Sequence, residues 1–261
     1  MADQPTRDRA TDLLALHRDP ALLTVVNVWD AVSAKVVAGT DGTRALATAS
    51  HSIAAAYGYP DGENIPLDLM LEAVKRIVDS TDLPVSADLE GGYGNAAETV
   101  RRAIGIGVVG ANIEDQMKPL AEAAAQVEGI MKAAEQEGVP DFVLNARTDA
   151  YALGRGRDRA DKLAEAAERG RAFLDAGAPV VFVPARLDEA GVTTLVEAFG
   201  RQRLTMIAIP GSPPLARLEE LGVARVSFGP MSLNVALTAL QELVERTRRG
   251  EGVPDTMRLL A

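Results

Sequence analysis

Two short apolar runs in this chain end abruptly in carboxylates. Residues 84–87 lead into Asp88 and Glu90, and residues 108–113 lead into Glu114. An apolar run bounded by turn residues is typical of a buried strand, and a carboxylate at the end of such a strand is costly unless a cation meets it. Two such strands, about one β–α unit apart, predict a shared acidic pocket that holds a hard metal ion.

The pattern favours Mg²⁺, with Mn²⁺ as an alternative, because these ions take oxygen ligands and Mg²⁺ keeps several of its waters. Asp88 is the first choice for a direct ligand, and Glu90 and Glu114 come next. One direct carboxylate would suffice if the others act through water. The competing interpretation is that these acids cap the following helices or pair with nearby Lys and Arg side chains.

A single arginine, Arg147, follows the apolar run at residues 142–146. A guanidinium can grip a substrate carboxylate through two parallel hydrogen bonds, although Arg147 could also pair with a pocket acid, and both roles can coexist. Ser50 could bind a carboxylate by its hydroxyl and nearby backbone N–H groups. His51 is a candidate acid or base, but a lone histidine on a loop is more often a hydrogen-bonding residue. Trp29 is expected to pack at the pocket wall.

The glycine-rich segment at residues 91–94, which contains Gly92, has two interpretations. It could cradle a phosphate at the start of a helix, but its spacing matches neither the dinucleotide fingerprint nor the P-loop. A tight β–α turn that lets the backbone approach the metal site is favoured.

Composition narrows the class of protein. The 261 residues are 47% hydrophobic and 25% charged, which is ordinary for a globular protein, and the net charge of −10 argues against nucleic-acid binding. The absence of cysteine excludes disulfides, thiolate catalysis and Cys-ligated zinc. Residues 1–19 lack the apolar core of a signal peptide, and no apolar run reaches about 18 residues, so a cytoplasmic protein without a membrane partner is expected.

Short aliphatic runs alternate with helical patterns through the whole chain, which predicts eight β–α units and a parallel sheet. The predicted strands cover residues 22–28, 44–50, 84–88, 108–114, 142–147, 179–184, 204–209 and 225–228. The predicted helices cover residues 30–39, 66–80, 96–106, 120–137, 157–176, 189–199, 214–221 and 231–249. Eight units in this length favour one closed (β/α)₈ TIM barrel, an α/β fold, over residues 1–261, with an open doubly wound sheet as the alternative. An extra helix is expected at residues 6–18.

Active sites of such barrels lie at the carboxyl ends of the strands. The residues that follow each aliphatic run are therefore expected to share one pocket. Those expected to bind substrate there are Trp29, Ser50, His51, Ser52, Gly92, Asn145 and Arg147.

Four segments of this sequence resemble the isocitrate lyase/phosphoenolpyruvate mutase superfamily, and the resemblance covers essentially the whole chain. The segments are residues 57–63 (YGYPDGE), 86–94 (SADLEGGYG), 112–116 (NIEDQ) and 145–149 (NARTD). They occur in the family's order and fall at sensible strand ends.

The resemblance implies a (β/α)₈ barrel that is commonly a tetramer, with the last helix exchanged between paired subunits. It also implies Mg²⁺, a 2-oxo acid or its enol form as substrate, and cleavage or rearrangement of a C–C or P–C bond beside it. The family's substrate-binding arginine falls on Arg147, and its substrate-carboxylate loop falls on residues 50–52. Its metal-associated acids fall on Asp61, Asp88, Glu90 and Glu114, and among these Asp61 and Glu114 are expected to join Arg147 in catalysis.

The sequence departs from the family after residue 115. Lyases of the family carry a gating loop of the Lys-Cys-Gly-His type there, and the mutases carry a Lys and an Asn. Here residues 116–120 read QMKPL and lead straight into a helix, with Lys118 as the only basic residue. The expected activity is therefore a decarboxylase or C–C lyase acting on a small 2-oxo acid through a metal-stabilised enolate, with little action on isocitrate.

Two alternatives remain open at this point. One is phosphonopyruvate mutase or hydrolase chemistry, and the other is a non-catalytic protein that binds 2-oxo acids. The last predicted helix is aliphatic, which points to a homo-oligomer, and the family suggests a dimer of dimers.

Overall fold

The computed structural model describes residues 1–154 and 156–258, and their nine strands form one parallel sheet. The strands are β1 (Leu23–Val25), β2 (Asn27–Val28), β3 (Leu46–Thr48), β4 (Val85–Asp88), β5 (Gly110–Glu114), β6 (Val143–Arg147), β7 (Val180–Val183), β8 (Leu204–Ile207) and β9 (Arg225–Ser227). Their order in the sheet is β1-β9-β8-β7-β6-β5-β4-β3-β2.

The sheet closes because β1 and β2 are two halves of the first predicted strand, interrupted at Val26. β1 pairs with β9 and β2 pairs with β3, so one short stretch of chain joins both edges. Asn27 fastens this junction: its Nδ2 donates to the Thr48 carbonyl at 2.8 Å, and its Oδ1 accepts from the backbone N–H of Phe228 at 2.8 Å. The strand order never reverses, so the barrel is confirmed and the doubly wound alternative is wrong.

Ten helices surround the strands in the described chain. They are α1 (Gln4–Arg18), α2 (Ala31–Ala38), α3 (Ser50–Ala56), α4 (Leu67–Val78), α5 (Ala96–Ile104), α6 (Leu120–Gln136), α7 (Arg159–Asp175), α8 (Glu189–Phe199), α9 (Leu215–Leu221) and α10 (Met231–Arg248). Among these residues, no helix combines the length and the apolar character needed to cross a membrane.

Helix α3 is not predicted by the sequence patterns described above. The strand expected at residues 44–50 ends at Thr48, and Ser50 already begins the helix. Three alanines close this segment, and alanine has the highest intrinsic helix propensity. His51 therefore lies in the first turn of a helix and not on a loop as expected.

The helices pack on the barrel through apolar faces that their sequences repeat at helical spacing. In α4, the side chains of Met70, Val74 and Ile77 are fully buried at spacings of four and three residues. β5 and β6 are buried along almost their whole length, as expected for strands covered on both sides. This packing fixes the ends of the strands, where the polar residues lie.

The extra helix α1 carries a histidine into the interior. His17 is completely buried, and its Nδ1 lies 2.8 Å from the Leu13 carbonyl one turn earlier, so Nδ1 carries the proton. Burial and, to a smaller extent, the charge of Arg225 lower the pKa of His17 to about 3. His17 is therefore neutral in the folded protein at neutral pH.

Replacing His17 by Phe should remove part of the acid sensitivity of the fold. Between pH about 6.5 and about 3, the unfolded chain binds a proton at His17 that the folded protein does not, so stability present above pH 6.5 is lost as the pH falls. The free energy of unfolding of the wild type, relative to His17→Phe, should fall by about 1.4 kcal/mol per pH unit below pH 6.5. Urea unfolding at several pH values measures this difference. An identical pH dependence in the two proteins would contradict the assignment.

Candidate active site

Charged side chains meet at the carboxyl ends of three neighbouring strands. Asp88 is the last residue of β4, Glu114 the last of β5 and Arg147 the last of β6. The parallel register aligns Glu114 with Arg147 and Asp88 with Asn112, so the strand pairing itself brings these residues to one edge of the barrel. This is the end at which TIM-barrel active sites lie.

Arg147 lies between two carboxylates. Its Nη1 is 2.8 Å from Glu114 Oε2, and its Nη2 is 2.7 Å from Asp149 Oδ1. The Nε–H also donates to Asp149 Oδ1 at 2.8 Å. Of the five guanidinium N–H groups, two have no protein acceptor within the described part of the chain, and the side chain is 25% exposed. Arg147 can therefore bind a further carboxylate while keeping both protein partners.

Burial shapes the titration of these groups. Desolvation raises the pKa of Glu114 to about 7, even though the charge of Arg147 acts in the opposite direction. Desolvation likewise raises the pKa of Asp149 above its usual range. Burial tends to lower the pKa of Arg147, but the charges of Asp149 and Glu114 outweigh it and raise that pKa. Glu114 is thus a carboxyl group that can hold or release a proton near neutral pH.

Asp88 is oriented by the start of α3. Its Oδ2 accepts hydrogen bonds from the Ser50 backbone N–H at 3.0 Å and from the Ser50 hydroxyl at 2.8 Å. The Asp88 backbone N–H donates to Thr48 Oγ1 at 2.9 Å. Both donors of Ser50 are thus engaged by a protein carboxylate, and Asp88 Oδ1 has no hydrogen-bond partner among the residues described.

Glu90 is buried and tied to the segment that contains Asp61. Its carboxylate accepts hydrogen bonds from the Glu63 backbone N–H and, at 3.2 Å, from the Tyr93 hydroxyl. Desolvation raises the pKa of Glu90 to about 7; the Glu63 N–H opposes this, and the charges of Asp88 and Asp61 add to it. Glu63 in turn accepts from the Tyr93 N–H at 2.6 Å, which joins the loop before α4 to the glycine-rich loop.

The other predicted site residues are spread around this group. Asp61 and His51 are exposed, and Ser52 is completely buried, with a hydroxyl that has no partner in the described chain. Trp29 lies in the wall of an apolar groove of about 530 Å³ between α2 and α10. Trp29 is partly buried against the core at this groove, and its expected contact with substrate stays a prediction.

Asn145 lies in the middle of β6 and is completely buried. Its Nδ2 donates to Asn112 Oδ1 at 2.6 Å, and its Oδ1 accepts from the hydroxyl of Thr205. The amide thus holds three strands together inside the barrel. Its expected contact with substrate stays a prediction.

The glycine-rich loop at residues 91–94 is a tight turn, as the sequence predicts. Gly92 has a φ of 91°, and a Cβ there would lie 2.5 Å from the Ala96 Cα at the start of α5. A Cβ on Gly91 would collide with the side chain of Gln116. The two glycines therefore let the loop pack against the next helix and against the segment after β5.

The acids do not form a closed metal cage. Across residues 1–154 and 156–258, no group of three or more His, Asp or Glu side chains is arranged to hold a metal ion. The donors nevertheless fit a hydrated Mg²⁺, because Asp88 has an oxygen available and Glu90 and Glu114 offer further hard oxygen ligands nearby in the fold. Such a site would have one direct carboxylate, with water between the ion and the others.

Two residues of this network were not assigned a role from the sequence. Asp149 accepts from Arg147, and Arg169 of α7 lies 3.0 Å from Asp115. The helical spacing of α7 could have indicated the role of Arg169. Arg169 falls on the same buried helix face as Ala166 and Phe173, where an apolar residue is normal.

Known proteins resemble this chain in sequence and structure. The model of the phosphoenolpyruvate phosphomutase family matches residues 13–248. The 2-methylisocitrate lyase of Escherichia coli (strain K12) is 32% identical over 237 residues, which are 83% of this chain and 78% of that protein. The 2,3-dimethylmalate lyase of Eubacterium barkeri is 32% identical over 247 residues, 87% of this chain and 83% of that protein.

A solved structure shares the fold. Oxaloacetate acetylhydrolase in complex with the product oxalate superposes with a TM-score of 0.84 and 27% identity, over 98% of this chain and 92% of that chain.

Replacing Gly92 by Ala should destabilise the protein more than replacing Gly94 by Ala. Both glycines have positive φ, but a Cβ on Gly94 would meet nothing within 4 Å in the described chain, whereas a Cβ on Gly92 would meet Ala96. Gly94→Ala should cost about 1 kcal/mol for the backbone conformation alone, and Gly92→Ala a further 1–3 kcal/mol, roughly, for overpacking. Urea unfolding of both variants measures the difference. Equal losses would show that the contact with α5 is relaxed at no cost.

Proposed function

Because the chain belongs to the phosphoenolpyruvate phosphomutase family of the isocitrate lyase/phosphoenolpyruvate mutase superfamily, we propose that it cleaves a C–C bond next to the oxo group of a small 2-oxo acid. The protein is an enzyme of the lyase and mutase type, which leaves no support for the non-catalytic alternative. One observation carries the proposed reaction. Arg147 offers two N–H groups beside Glu114 and Asp149 at the carboxyl mouth of the barrel.

Arg147 would bind the substrate carboxylate. A guanidinium recognises a carboxylate through paired N–H groups, and the two ion pairs of Arg147 fix the plane in which those groups lie. Fixing that plane before the substrate arrives reduces the ordering that binding requires. Ser50 would orient Asp88 through its two hydrogen bonds to that carboxylate. Together with His51 and Ser52, it would form the start of α3 beside the substrate.

Asp88 would hold Mg²⁺ directly, with Glu90 and Glu114 acting through water, and Mn²⁺ could replace it. When bound, the cation stabilises negative charge on the oxo oxygen as the adjacent bond breaks. Glu114 would hold or release a proton near neutral pH, because its pKa is raised to about 7. The exposed Asp61, whose charge acts on Glu90, would complete the acidic group.

Cleavage or rearrangement of a P–C bond is the second candidate. It is favoured by the matching family model, which is that of a phosphomutase. A phosphonate substrate would bring additional negative charge to the site. Lys118 is not poised to meet that charge, because its Nζ donates to Gln126 of α6 at 2.7 Å. This contact favours the smaller carboxylate substrate.

Turnover assays on oxaloacetate, 2-methylisocitrate and phosphonopyruvate test the proposal. We expect Mg²⁺-dependent turnover of oxaloacetate, and a loss of about 100-fold or more on addition of a chelator or in Asp88→Asn, since each removes stabilisation of the developing charge. Asp82→Asn is the matched control, because Asp82 is an exposed acid just before β4. Turnover of phosphonopyruvate alone would favour the second candidate, and metal-independent turnover would overturn the metal assignment.

Isocitrate serves as the control substrate. Its cleavage requires a positioned acid, which is worth about 10²–10⁴-fold, and the segment after Glu114 supplies no cysteine. Turnover of isocitrate should therefore be slower than that of oxaloacetate by about this factor. Comparable rates would show that another residue supplies the proton.

We also propose a homo-oligomer, in which α10 of one chain packs against a second copy. Within the described chain, no residue of α10 is buried. Leu237, Leu240 and Val244 are 50%, 57% and 44% exposed at spacings of three and four residues, which is one apolar helix face. The groove between α2 and α10 is lined mostly by apolar residues of the same chain and adds to this surface. A patch of this kind on a globular protein marks an interface.

Light scattering should report a multiple of the chain mass of 27.5 kDa at micromolar concentration. Leu240→Glu should shift the protein to smaller species, because it places a charge in the centre of the apolar face. Gln241→Glu, which adds the same charge beside that face, is the control and should leave the mass unchanged. A wild-type protein that is monomeric at this concentration would refute the interface.

A further inference from the structure

The short segment between β5 and α6 is held by a buried ion pair. We call residues 115–118 the 115–118 turn. Asp115, its first residue, is 3% exposed, and Arg169, from the middle of α7, is 6% exposed. The Arg169 Nη1 lies 3.0 Å from Asp115 Oδ2. A buried charge pair of this kind is stable only when further hydrogen bonds satisfy both groups.

Those hydrogen bonds go to the two ends of the turn. Nη1 and Nη2 of Arg169 both donate to the Lys118 carbonyl at 3.0 Å. Asp115 Oδ1 accepts from the Met117 backbone N–H at 3.0 Å. Gln116 and Met117 have φ values of 49° and 54°, in the left-handed region that residues with a side chain rarely adopt. Such a conformation persists only where the surroundings fix it.

The same carboxylate leads from the turn to the substrate-binding arginine. Asp115 Oδ1 also accepts from the Asp149 backbone N–H at 3.0 Å, and the Gln116 N–H donates to Asp149 Oδ2 at 3.1 Å. The other oxygen of Asp149 accepts from Arg147. An unbroken series of contacts therefore runs from Arg169 through Asp115 and Asp149 to Arg147.

We propose that Arg169 is a positioning residue for substrate binding. It keeps the 115–118 turn in one conformation and, through Asp115 and Asp149, fixes the orientation of the Arg147 guanidinium. This inference rests on the proposed function in so far as Arg147 binds the substrate carboxylate. It also implies that the 115–118 turn has the same conformation before and after substrate binds and does not close over the substrate.

Arg169→Lys tests this role with little change in charge or size. Lysine keeps the positive charge but lacks the planar fork that reaches a carboxylate and a carbonyl together. We expect the KM for oxaloacetate and the Kd for oxalate to rise about tenfold, with kcat within about twofold of the wild type and the Kd for Mg²⁺ unchanged. A purely structural defect would lower kcat and Mg²⁺ affinity together with oxo-acid affinity.

Glu165→Gln is the matched control. Glu165 is the other carboxylate partner of Arg169, one turn earlier on α7 at 2.8 Å from its Nε, and it does not contact the turn. This variant should keep wild-type KM and kcat. An equal rise in KM in Glu165→Gln and Arg169→Lys would assign the effect to the packing of α7 and would overturn the proposal.

A second measurement does not depend on the reaction. In ¹⁵N-labelled protein, Arg169→Lys should accelerate hydrogen exchange at the Gln116 and Met117 amides and at the Arg147 Nε–H by about tenfold or more, while amides in β5 keep their wild-type rates. Unchanged exchange at all three positions would overturn the proposal. If the wild type neither binds oxalate nor turns over oxaloacetate, the proposed function fails, and the exchange at Arg147 still decides whether Arg169 positions it.

Discussion

The ion pairs of Arg147 are the constraint on which the rest of the site depends. The half-buried carboxylate of Glu114 and the buried carboxylate of Asp149 repel each other and lose hydration, and the guanidinium between them offsets both costs. Glu114 and Arg147 face each other because the register of β5 and β6 aligns them. A shift of this register by one residue would place either Glu114 or Arg147 on the opposite face of the sheet, away from its partner. The site and the sheet are therefore specified together.

The interior of the barrel below the site contains buried polar side chains. Asn112, Asn145 and Thr205 form a chain of hydrogen bonds across three strands, and Arg225 reaches Ser86 Oγ at 3.1 Å from the opposite side. Burial lowers the pKa of Arg225 to about 10, and the charge of Asp88 acts in the opposite direction. Arg225, the first residue of β9, thus places a buried positive charge inside the barrel, where it interacts with the charge of Asp88.

β5 and α6 are joined by the short 115–118 turn, at the position where the resemblance to the superfamily implies a gating loop in lyases. A loop that closes over a site removes water and strengthens every electrostatic contact inside it. This chain instead holds Gln116 and Met117 in a left-handed conformation against a buried ion pair. Under the proposed function, Glu114 and Asp149 would fix the geometry of Arg147, which suits a small substrate that needs few contacts.

The sequence alone determined the alternation of strands and helices, the barrel, and the edge at which the acids and Arg147 meet. These follow from local patterns, because apolar runs, turn residues and the position of a polar residue at a strand end are all readable within a few residues. The glycine-rich sequence likewise predicted the tight turn that contains Gly92. The sequence did not reveal α3, because a strand and a short alanine-rich helix follow one another at Thr48 without a breaker between them.

Only the tertiary structure decided which charges are partners. That Arg169, 54 residues after Asp115, reaches the 115–118 turn depends on how α7 packs beside α6 and β7. That Ser50 orients Asp88, that Glu63 joins Glu90 and Tyr93, and that Asn145 is occupied inside the barrel are likewise contacts between distant segments. Hydrogen bonds and ion pairs form over a few ångströms in space, and the sequence fixes those distances only after the whole chain has folded.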